Sequence, residues 1–359
     1  MMRRAVSAAA AAGLVAVLAA GCSSPQPPTV TTVRQQQGRD AGKALSVGHG
    51  IDVAAALPQV RLGLMDDLCD GSGLAAAGLG YFGQELGAGV RLEPEGYSSP
   101  AAEAAALAAG RLDAAYIDPV AALAAWQASG GQLQIISGAG AGGAELVAGR
   151  RYTRPGQLAD TTLAAPPGSS QAAGLKAWLS ARGISADAAM PGTSPQAAVA
   201  AVTGGHAAAA WEPAPFDAQI TAAGGHILAG RARPASAAPT AVLAVRTAFL
   251  ARHRAWAQAL LKAQVRAGLL MDTDPAAGHR AAAAELTALL GRKLPARILT
   301  AGFAQIRYTD NPEASSLLAQ ARQAATAGIL KPVRSLGRLV NLDPLNRLLR
   351  ATGQQPVTG

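Results

Sequence analysis

Hydroxyl side chains stand at the predicted starts of three helices, where they could help to bind an anion. They are Ser98 and Ser99, then Ser169 and Ser170 followed by Gln171, and finally Thr193 and Ser194. A helix N-terminus presents unpaired N–H groups and about half a positive charge. Added hydroxyls would make an anion-binding corner that needs no Arg. The alternative is that each Ser or Thr only caps its helix.

Two aromatic residues are each followed by an acid and a proline. Tyr116 precedes Asp118-Pro119, and Trp211 precedes Glu212-Pro213. We expect both aromatics to end strands and to pack against a ligand, with the acids receiving a ligand amine or forming ion pairs between lobes. The alternative for both aromatics is core packing. The candidate ligand-binding set is completed by Asp66 and Asp67 in an acidic loop and by Gly138 in a glycine-rich stretch.

A pattern that occurs twice, 95 residues apart, contains Ser99, Tyr116 and Asp118 in its first copy and Ser194, Trp211 and Glu212 in its second. Each copy begins Ser-Pro, reaches a Gly 11 residues after the Ser, and reaches its aromatic six residues after that Gly. This spacing predicts a capped helix, a Gly stop, a short strand, and a loop that carries an acid. Two such units indicate two similar α/β lobes, which bind ligands at strand ends and helix N-termini. Chance similarity of Ala-rich segments is the alternative.

The order of predicted elements indicates that the chain crosses twice between the lobes. We expect lobe 1 to comprise residues 58–147 and 236–359, with additional C-terminal helices, and lobe 2 to comprise residues 148–235. Paired crossings favour a hinge, because both connections can bend together. The predicted fold class is therefore α/β, with two lobes joined by a double-crossing hinge.

The N-terminal residues predict export. Arg3 and Arg4 precede an apolar run that ends at Gly21-Cys22, which is typical of a signal peptide over residues 1–21. It is similar to bacterial lipoprotein signals, in which the Cys is lipidated; the alternative is an ordinary cleaved signal with an incidental Cys. Residues 22–57 then form the lipidated Cys and a flexible tether, because their Ser, Pro, Thr and Gln content cannot build a core.

Composition excludes several classes of protein. The formal net charge is +9, but only 4% of the residues are aromatic, and the sequence has no dense run of Lys and Arg. Because the chain is also predicted to be exported, we do not expect it to bind nucleic acid. The two cysteines do not support a disulfide-stapled fold or a Cys-based metal site, and the five histidines show no metal-ligand spacing. We therefore expect no metal, no cofactor and no catalytic residues.

Further segments carry a family resemblance. They are Gly80-Tyr81-Phe82, Gly110-Arg111-Leu112-Asp113, Gly168-Ser169-Ser170-Gln171, Trp211-Glu212-Pro213 with Phe216, and Leu342–Leu349 with Pro344. In this order and spacing the chain resembles the solute-binding lipoproteins of ABC importers, in the aliphatic sulfonate, taurine and nitrate group. The resemblance implies the type II periplasmic-binding-protein fold. Asp118 departs from the Gly common in relatives, and carboxylates around Asp66 and Asp67 would not favour an anion.

The resemblance implies a lipid-anchored receptor at the extracytoplasmic face of the cell membrane. It would close on a small organic anion, an aliphatic sulfonate or a taurine-like compound, and deliver it as a monomer to an ABC permease. The alternatives are a receptor or sensor for nitrate, a pyrimidine precursor or another small solute. An enzyme of precursor biosynthesis with the same fold is the remaining alternative, but such enzymes work inside the cell, so we predict that this chain is not an enzyme.

Overall fold

The computed structural model describes residues 57–186, 194–230 and 238–358. The predicted signal peptide, Cys22, the tether up to residue 56, and Thr193 lie outside the described residues. Within them, no helix has both the length and the apolar character needed to cross a membrane.

The described strands form two mixed sheets. In chain order they are β1 (Gln59–Met65), β2 (Arg91–Tyr97), β3 (Ala114–Ile117), β4 (Leu133–Gly142), β5 (Ala144–Ala148), β6 (Leu163–Ala164), β7 (Ala209–Pro213), β8 (His226–Ala229), β9 (Pro239–Arg246) and β10 (Ile306–Tyr308). The first sheet has the order β10-β4-β9-β3-β1-β2, and the second has the order β6-β7-β5-β8. The β1 strand pairs in parallel with β2 and β3, whereas β9 is antiparallel to β3 and β4.

Helices cover both faces of each sheet. In chain order they are α1 (Gly71–Gly78), α2 (Tyr81–Leu86), α3 (Pro100–Ala108), α4 (Pro119–Ala128), α5 (Ser170–Ser180), α6 (Pro195–Thr203), α7 (Phe216–Ala222), α8 (Thr247–Arg252), α9 (Arg254–Thr273), α10 (Pro275–Leu290), α11 (Ala296–Phe303), α12 (Ala314–Thr326) and α13 (Asp343–Ala351). Short 3-10 helices lie at Leu68–Asp70 and Pro155–Leu158.

The two sequence repeats have the same local structure. Ser99 caps α3 and Ser194 caps α6, and a proline occupies the first turn of both helices. Gly110 and Gly205 follow these helices at φ values of 75° and 77°, a conformation that glycine adopts without steric cost. The chain then enters β3 and β7 respectively. The helix–glycine–strand prediction is confirmed in both copies.

The chain changes sheet at Gly143. The β4 strand ends at Gly142 in the first sheet, and β5 begins at Ala144 in the second. Gly143 has φ 75°, and a Cβ there would collide with the side chain of Ile306. The expected boundary between residues 147 and 148 therefore falls inside β5, and the first crossing lies about one short strand earlier. The return to the first sheet occurs before β9.

Each sheet has an apolar core on both faces. Leu64, Tyr116 and Leu260 belong to one core of the first sheet, whereas Leu107, Ile117 and Leu123 belong to the other. Helices α9, α10 and α13 contribute to the first of these cores, so they pack against the first sheet. A fully buried Leu such as Leu64 stabilises the fold by about 2 kcal/mol through removal of its side chain from water.

Candidate functional site

A small cavity lies where the two lobes meet. The first lobe contributes Met65, Asp67, Cys69, Asp70, Pro100, Asp118 and Thr240, and the second contributes Pro166, Gln171, Pro195 and Pro213. Its volume is about 10 Å³, which is room for about one water molecule. The lobes are therefore in contact at this point, and a ligand larger than a water molecule does not fit into the cavity as it stands.

Asp118 joins the lobes through its carboxylate. It follows β3 and precedes Pro119, so it caps α4: its Oδ1 accepts hydrogen bonds from the N–H groups of Val120 (2.8 Å) and Ala121 (3.1 Å). The backbone N–H of Ser170, at the start of α5 in the second lobe, donates to both Asp118 oxygens, at 3.0 and 3.1 Å. One carboxylate thus receives the N-terminal N–H groups of helices from both lobes.

The loop after β1 makes two further contacts across the gap. Asp66 Oδ2 accepts a hydrogen bond from the Gln196 amide on α6 at 3.1 Å, and the N–H of Leu68 donates to the carbonyl of Ala214 at 2.7 Å. Asp67 Oδ1 accepts from the N–H of Cys69, and Asp70 Oδ2 accepts from the N–H of Met65. These local bonds fold the loop into a 3-10 turn that holds Asp67 and Asp70 at the cavity.

Burial makes these carboxyl groups weak acids. Burial raises the pKa of Asp67 to about 7, and the neighbouring charge of Asp66 acts in the same direction. Burial also raises the pKa of Asp118 to about 6, although its hydrogen bonds to backbone N–H groups oppose the change. The pKa of Asp70 lies well above its ordinary value because of burial and the charge of Asp67. The charged forms of these groups are therefore unfavourable without a positive partner.

The buried charge of the described residues is entirely acidic. Their buried charged side chains are Asp66, Asp67, Asp70, Glu103, Asp118, Glu145, Glu212 and Asp217. No Lys, Arg or His is among the described residues that line the cavity. Among the described residues, eight Asp and Glu side chains are thus buried, whereas no Lys, Arg or His is. Such an interior favours a cation over an anion.

Glu212 belongs to a second acidic group. It lies on β7 opposite Glu145 of β5, and burial followed by the charge of Asp217 raises its pKa well above the ordinary value. Its Oε2 is buried and has no hydrogen-bond partner. Glu212 does not line the cavity itself, although the next residue, Pro213, does.

The predicted hydroxyl residues serve mainly as helix caps. Ser99, Ser169 and Ser194 each accept a hydrogen bond from the N–H three residues later, at 3.1–3.3 Å. Ser98 is exposed. Ser170 contacts the other lobe twice: its backbone N–H donates to Asp118, and its hydroxyl donates to the side-chain oxygen of Gln320. Of this group, only Gln171 lines the cavity. The capping alternative therefore describes Ser99, Ser169 and Ser194.

The two predicted aromatic residues do not line the cavity. Tyr116 is fully buried in the first lobe, where its ring packs edge-on against Phe82 with ring centroids 6.2 Å apart. Its position on β3 turns it toward α1 and α2 rather than toward the gap, since a Cβ on Gly73 would collide with its ring. Trp211 instead lines a groove of about 540 Å³ beside Gly174 of α5, which adjoins the cavity at Gln171 and Thr240 and also includes Ser170.

Gly138 also lies away from the cavity. Its N–H donates to the carbonyl of Asp310, and a Cβ there would lie 2.6 Å from the carbonyl oxygens of Thr309 and Asn311. It packs closely against the backbone within the first lobe, and its place among the ligand-binding residues stays a prediction.

Sequence reasoning missed Asp70 and several prolines, which line the cavity. It also missed Gln196, which donates to Asp66 across the gap. Asp70 is part of the acidic stretch after β1. If the whole stretch had been taken as one short turn, Asp70 would have been among the candidate ligand-binding residues. Pro100 and Pro195 belong to the Ser-Pro pairs that begin the repeats, so the repeat itself marked these positions. Among the described residues, no group of three or more His, Cys, Asp or Glu is arranged to hold a metal ion.

Comparison with solved structures identifies the fold. The alkanesulfonate-binding protein SsuA from Xanthomonas axonopodis pv. citri, bound to MOPS, is 20% identical with a TM-score of 0.65, covering 80% of this chain and 99% of that one. The nitrate-binding protein NrtA from Synechocystis PCC 6803 is 15% identical, with a TM-score of 0.68 and coverage of 82% and 89%. A ligand-binding component of an ABC-type import system from Staphylococcus aureus, with zinc bound, is 18% identical, with a TM-score of 0.65 and coverage of 80% and 97%. The chain has the periplasmic-binding-protein fold, as predicted.

The family follows from the sequence. The model of the NMT1-like family matches residues 53–288, about two thirds of the chain, and the chain belongs to this family. A search of curated proteins finds no match.

Proposed function

We propose that this protein is the extracytoplasmic solute-binding component of an ABC importer and captures its solute between the two lobes. The observation that carries the proposal is the cavity at the lobe junction, which is lined by side chains from both lobes. Separation of the lobes about the crossing at Gly143 would admit a solute, and closure would exclude water and strengthen its polar contacts. Structural neighbours named as the ligand-binding component of an ABC-type import system, an alkanesulfonate-binding protein and a periplasmic nitrate-binding protein support this proposal.

The carboxylates around the gap decide which solute is favoured. The sequence predicts a small organic anion, an aliphatic sulfonate or a taurine-like compound. Asp67, Asp70 and Asp118 would repel a plain sulfonate or nitrate but would stabilise a protonated amine. Among the predicted ligands, the taurine-like zwitterion fits best, because its ammonium group supplies the missing positive partner. We therefore assign a small solute that carries an ammonium or similar cationic group.

The cellular setting of the proposal comes from the N-terminal sequence. Lipidation of Cys22 would anchor the protein at the outer face of the cell membrane, and residues 23–57 would tether the lobes above it. There a monomer could load a membrane permease.

An enzymatic role has less support. Cys69 has a nucleophilic side chain and lines the cavity. However, burial and the charge of Asp67 raise the pKa of its thiol well above the ordinary value. The thiolate is the nucleophilic form, so Cys69 is poorly suited to covalent catalysis.

The proposal is tested by identifying the bound solute. The purified protein is examined by mass spectrometry under native conditions for a co-purified small molecule, and then titrated calorimetrically with taurine, ethylammonium, ethanesulfonate and nitrate. We expect binding of an amine-containing solute, weakened at least tenfold in Asp67→Asn and unchanged in Asp274→Asn. Asp274 is a matched control, because it is an exposed helix cap on α10. A protein that carries no solute and binds none of the probes would contradict the assignment.

A further inference from the structure

The N-terminus of α5 already holds an anion, and that anion is the carboxylate of Asp118. The Ser170 N–H donates to both oxygens, and the approach comes from the opposite lobe. Helix N-termini are common binding places for carboxylates, sulfates and phosphates, because their N–H groups lack partners within the helix. Asp118 therefore has the chemistry and the position that the anionic group of a ligand would otherwise have.

The two hydroxyl groups at the start of α5 are also engaged. Ser169 Oγ accepts the N–H of Ala172, and Ser169 is fully buried. Ser170 Oγ lies 3.4 Å from the side-chain oxygen of Gln320, on α12 of the first lobe. An incoming anion would have to displace Asp118 to reach the N–H of Ser170.

Displacing Asp118 would carry a further electrostatic cost. Asp67 and Asp70 line the same cavity, and the described lining includes no basic side chain that could offset their charges. Asp118 is itself buried, so its charge is weakly screened by solvent. With Asp118 in place, an anion in the gap would thus meet three carboxyl groups. The Ser170 N–H that could have bound the anion would already be occupied by Asp118.

We propose that Asp118 is a specificity-determining residue: it substitutes for a ligand anion at the N-terminus of α5, excludes anionic groups from that position, and leaves the gap to the cationic group of the solute. This inference rests on the proposed capture of a solute between the lobes. On this inference, Asp118 would cause the protein to reject simple sulfonates.

The test removes the carboxylate but keeps the helix cap. Asp118→Ser retains a good N-cap for α4 and leaves the Ser170 N–H without its anion. We expect methanesulfonate, measured by calorimetry, to bind this variant at least about tenfold more tightly than the unchanged protein. Asp274→Ser is the matched control, because it removes the same charge from the exposed cap of α10 and leaves α5 unaltered. Circular dichroism and a urea unfolding curve for each variant confirm that it is folded.

A second pair of variants tests whether the gained anion uses the proposed N–H. Ser170→Pro removes that N–H at the first residue of α5, where proline is well tolerated. Ser169, with φ −103° and ψ 168°, already has the extended conformation that a following proline requires. Added to Asp118→Ser, Ser170→Pro should abolish methanesulfonate binding, whereas Ser170→Ala should preserve it.

The outcomes separate this inference from the proposed function. Gained binding in Asp118→Ser that Ser170→Pro removes would establish the role of Asp118. Equal methanesulfonate affinity in the unchanged protein and Asp118→Ser, or no binding in either, would overturn it. Gained binding that persists after Ser170→Pro would also overturn it, since the anion would then lie elsewhere. None of these results bears on capture itself, which is tested separately by the co-purified solute.

Discussion

Asp67→Asn should stabilise the unliganded protein at neutral and higher pH. In the unfolded chain an Asp releases its proton near pH 4, whereas burial and the neighbouring Asp66 raise the pKa of folded Asp67 to about 7. Between these values the folded state binds a proton that the unfolded state has lost. The free energy of unfolding therefore falls as pH rises through this window.

The size of the effect follows from the separation of the two pKa values. About three pKa units correspond to about 4 kcal/mol, since each unit is worth about 1.4 kcal/mol. Asn has no charge to bury, and its side-chain oxygen can still accept the N–H of Cys69 as Asp67 does. The variant should therefore be more stable by up to about 4 kcal/mol near pH 8 and differ little near pH 4.

Urea unfolding at several pH values measures this difference directly. The slope of stability against pH between about 4 and 7 should become shallower in Asp67→Asn, while the exposed control Asp274→Asn should keep the slope of the unchanged protein. An unchanged slope in Asp67→Asn, or a protein whose stability rises from pH 5 to pH 8, would refute the reasoning.

Two substitutions and one labelling experiment test the packing around the site. Tyr116→Phe removes a buried hydroxyl without a hydrogen-bond partner and should raise the free energy of unfolding by about 1 kcal/mol; a loss of stability would show that the hydroxyl is bonded. Gly71→Ala should lower it by about 1–3 kcal/mol, because the new Cβ would collide with the Tyr308 ring, whose hydroxyl donates to Leu68; an unchanged urea midpoint would contradict this. Cys69 should resist alkylation in the folded protein and react after unfolding, as measured by the mass of its peptide, because it is 3% exposed and its thiol pKa is raised; rapid labelling of the folded protein would count against this.

Much of the fold could be predicted because local signals and global architecture agree. The Ser-Pro starts and glycine ends of α3 and α6 specify those helices, and the structure confirms them. The predicted periplasmic-binding-protein fold is also confirmed. The position of the crossing is harder to predict, because the sequence of Ala144–Ala148 would suit a strand of either lobe. Only its pairing with β7 and β8 assigns this strand to the second sheet.

The candidate site was harder to predict, because it depends on which face of a strand points to the gap. Alternation along β3 places Tyr116 on one face and Ile117 on the other, but it does not say which face meets the second lobe. The contact of Asp118 with Ser170 joins residues 52 positions apart and exists only when the lobes meet. The sequence could therefore mark Asp118 as a candidate residue but could not show that it contacts Ser170.

The bond from the Leu68 N–H to the Ala214 carbonyl has a consequence for how the sequence around the lobe junction can vary. Both partners are main-chain atoms, so the bond does not depend on the identity of the neighbouring side chains. Replacement of residues 66, 67 and 118 would consequently change the charge between the lobes while leaving this main-chain link in place.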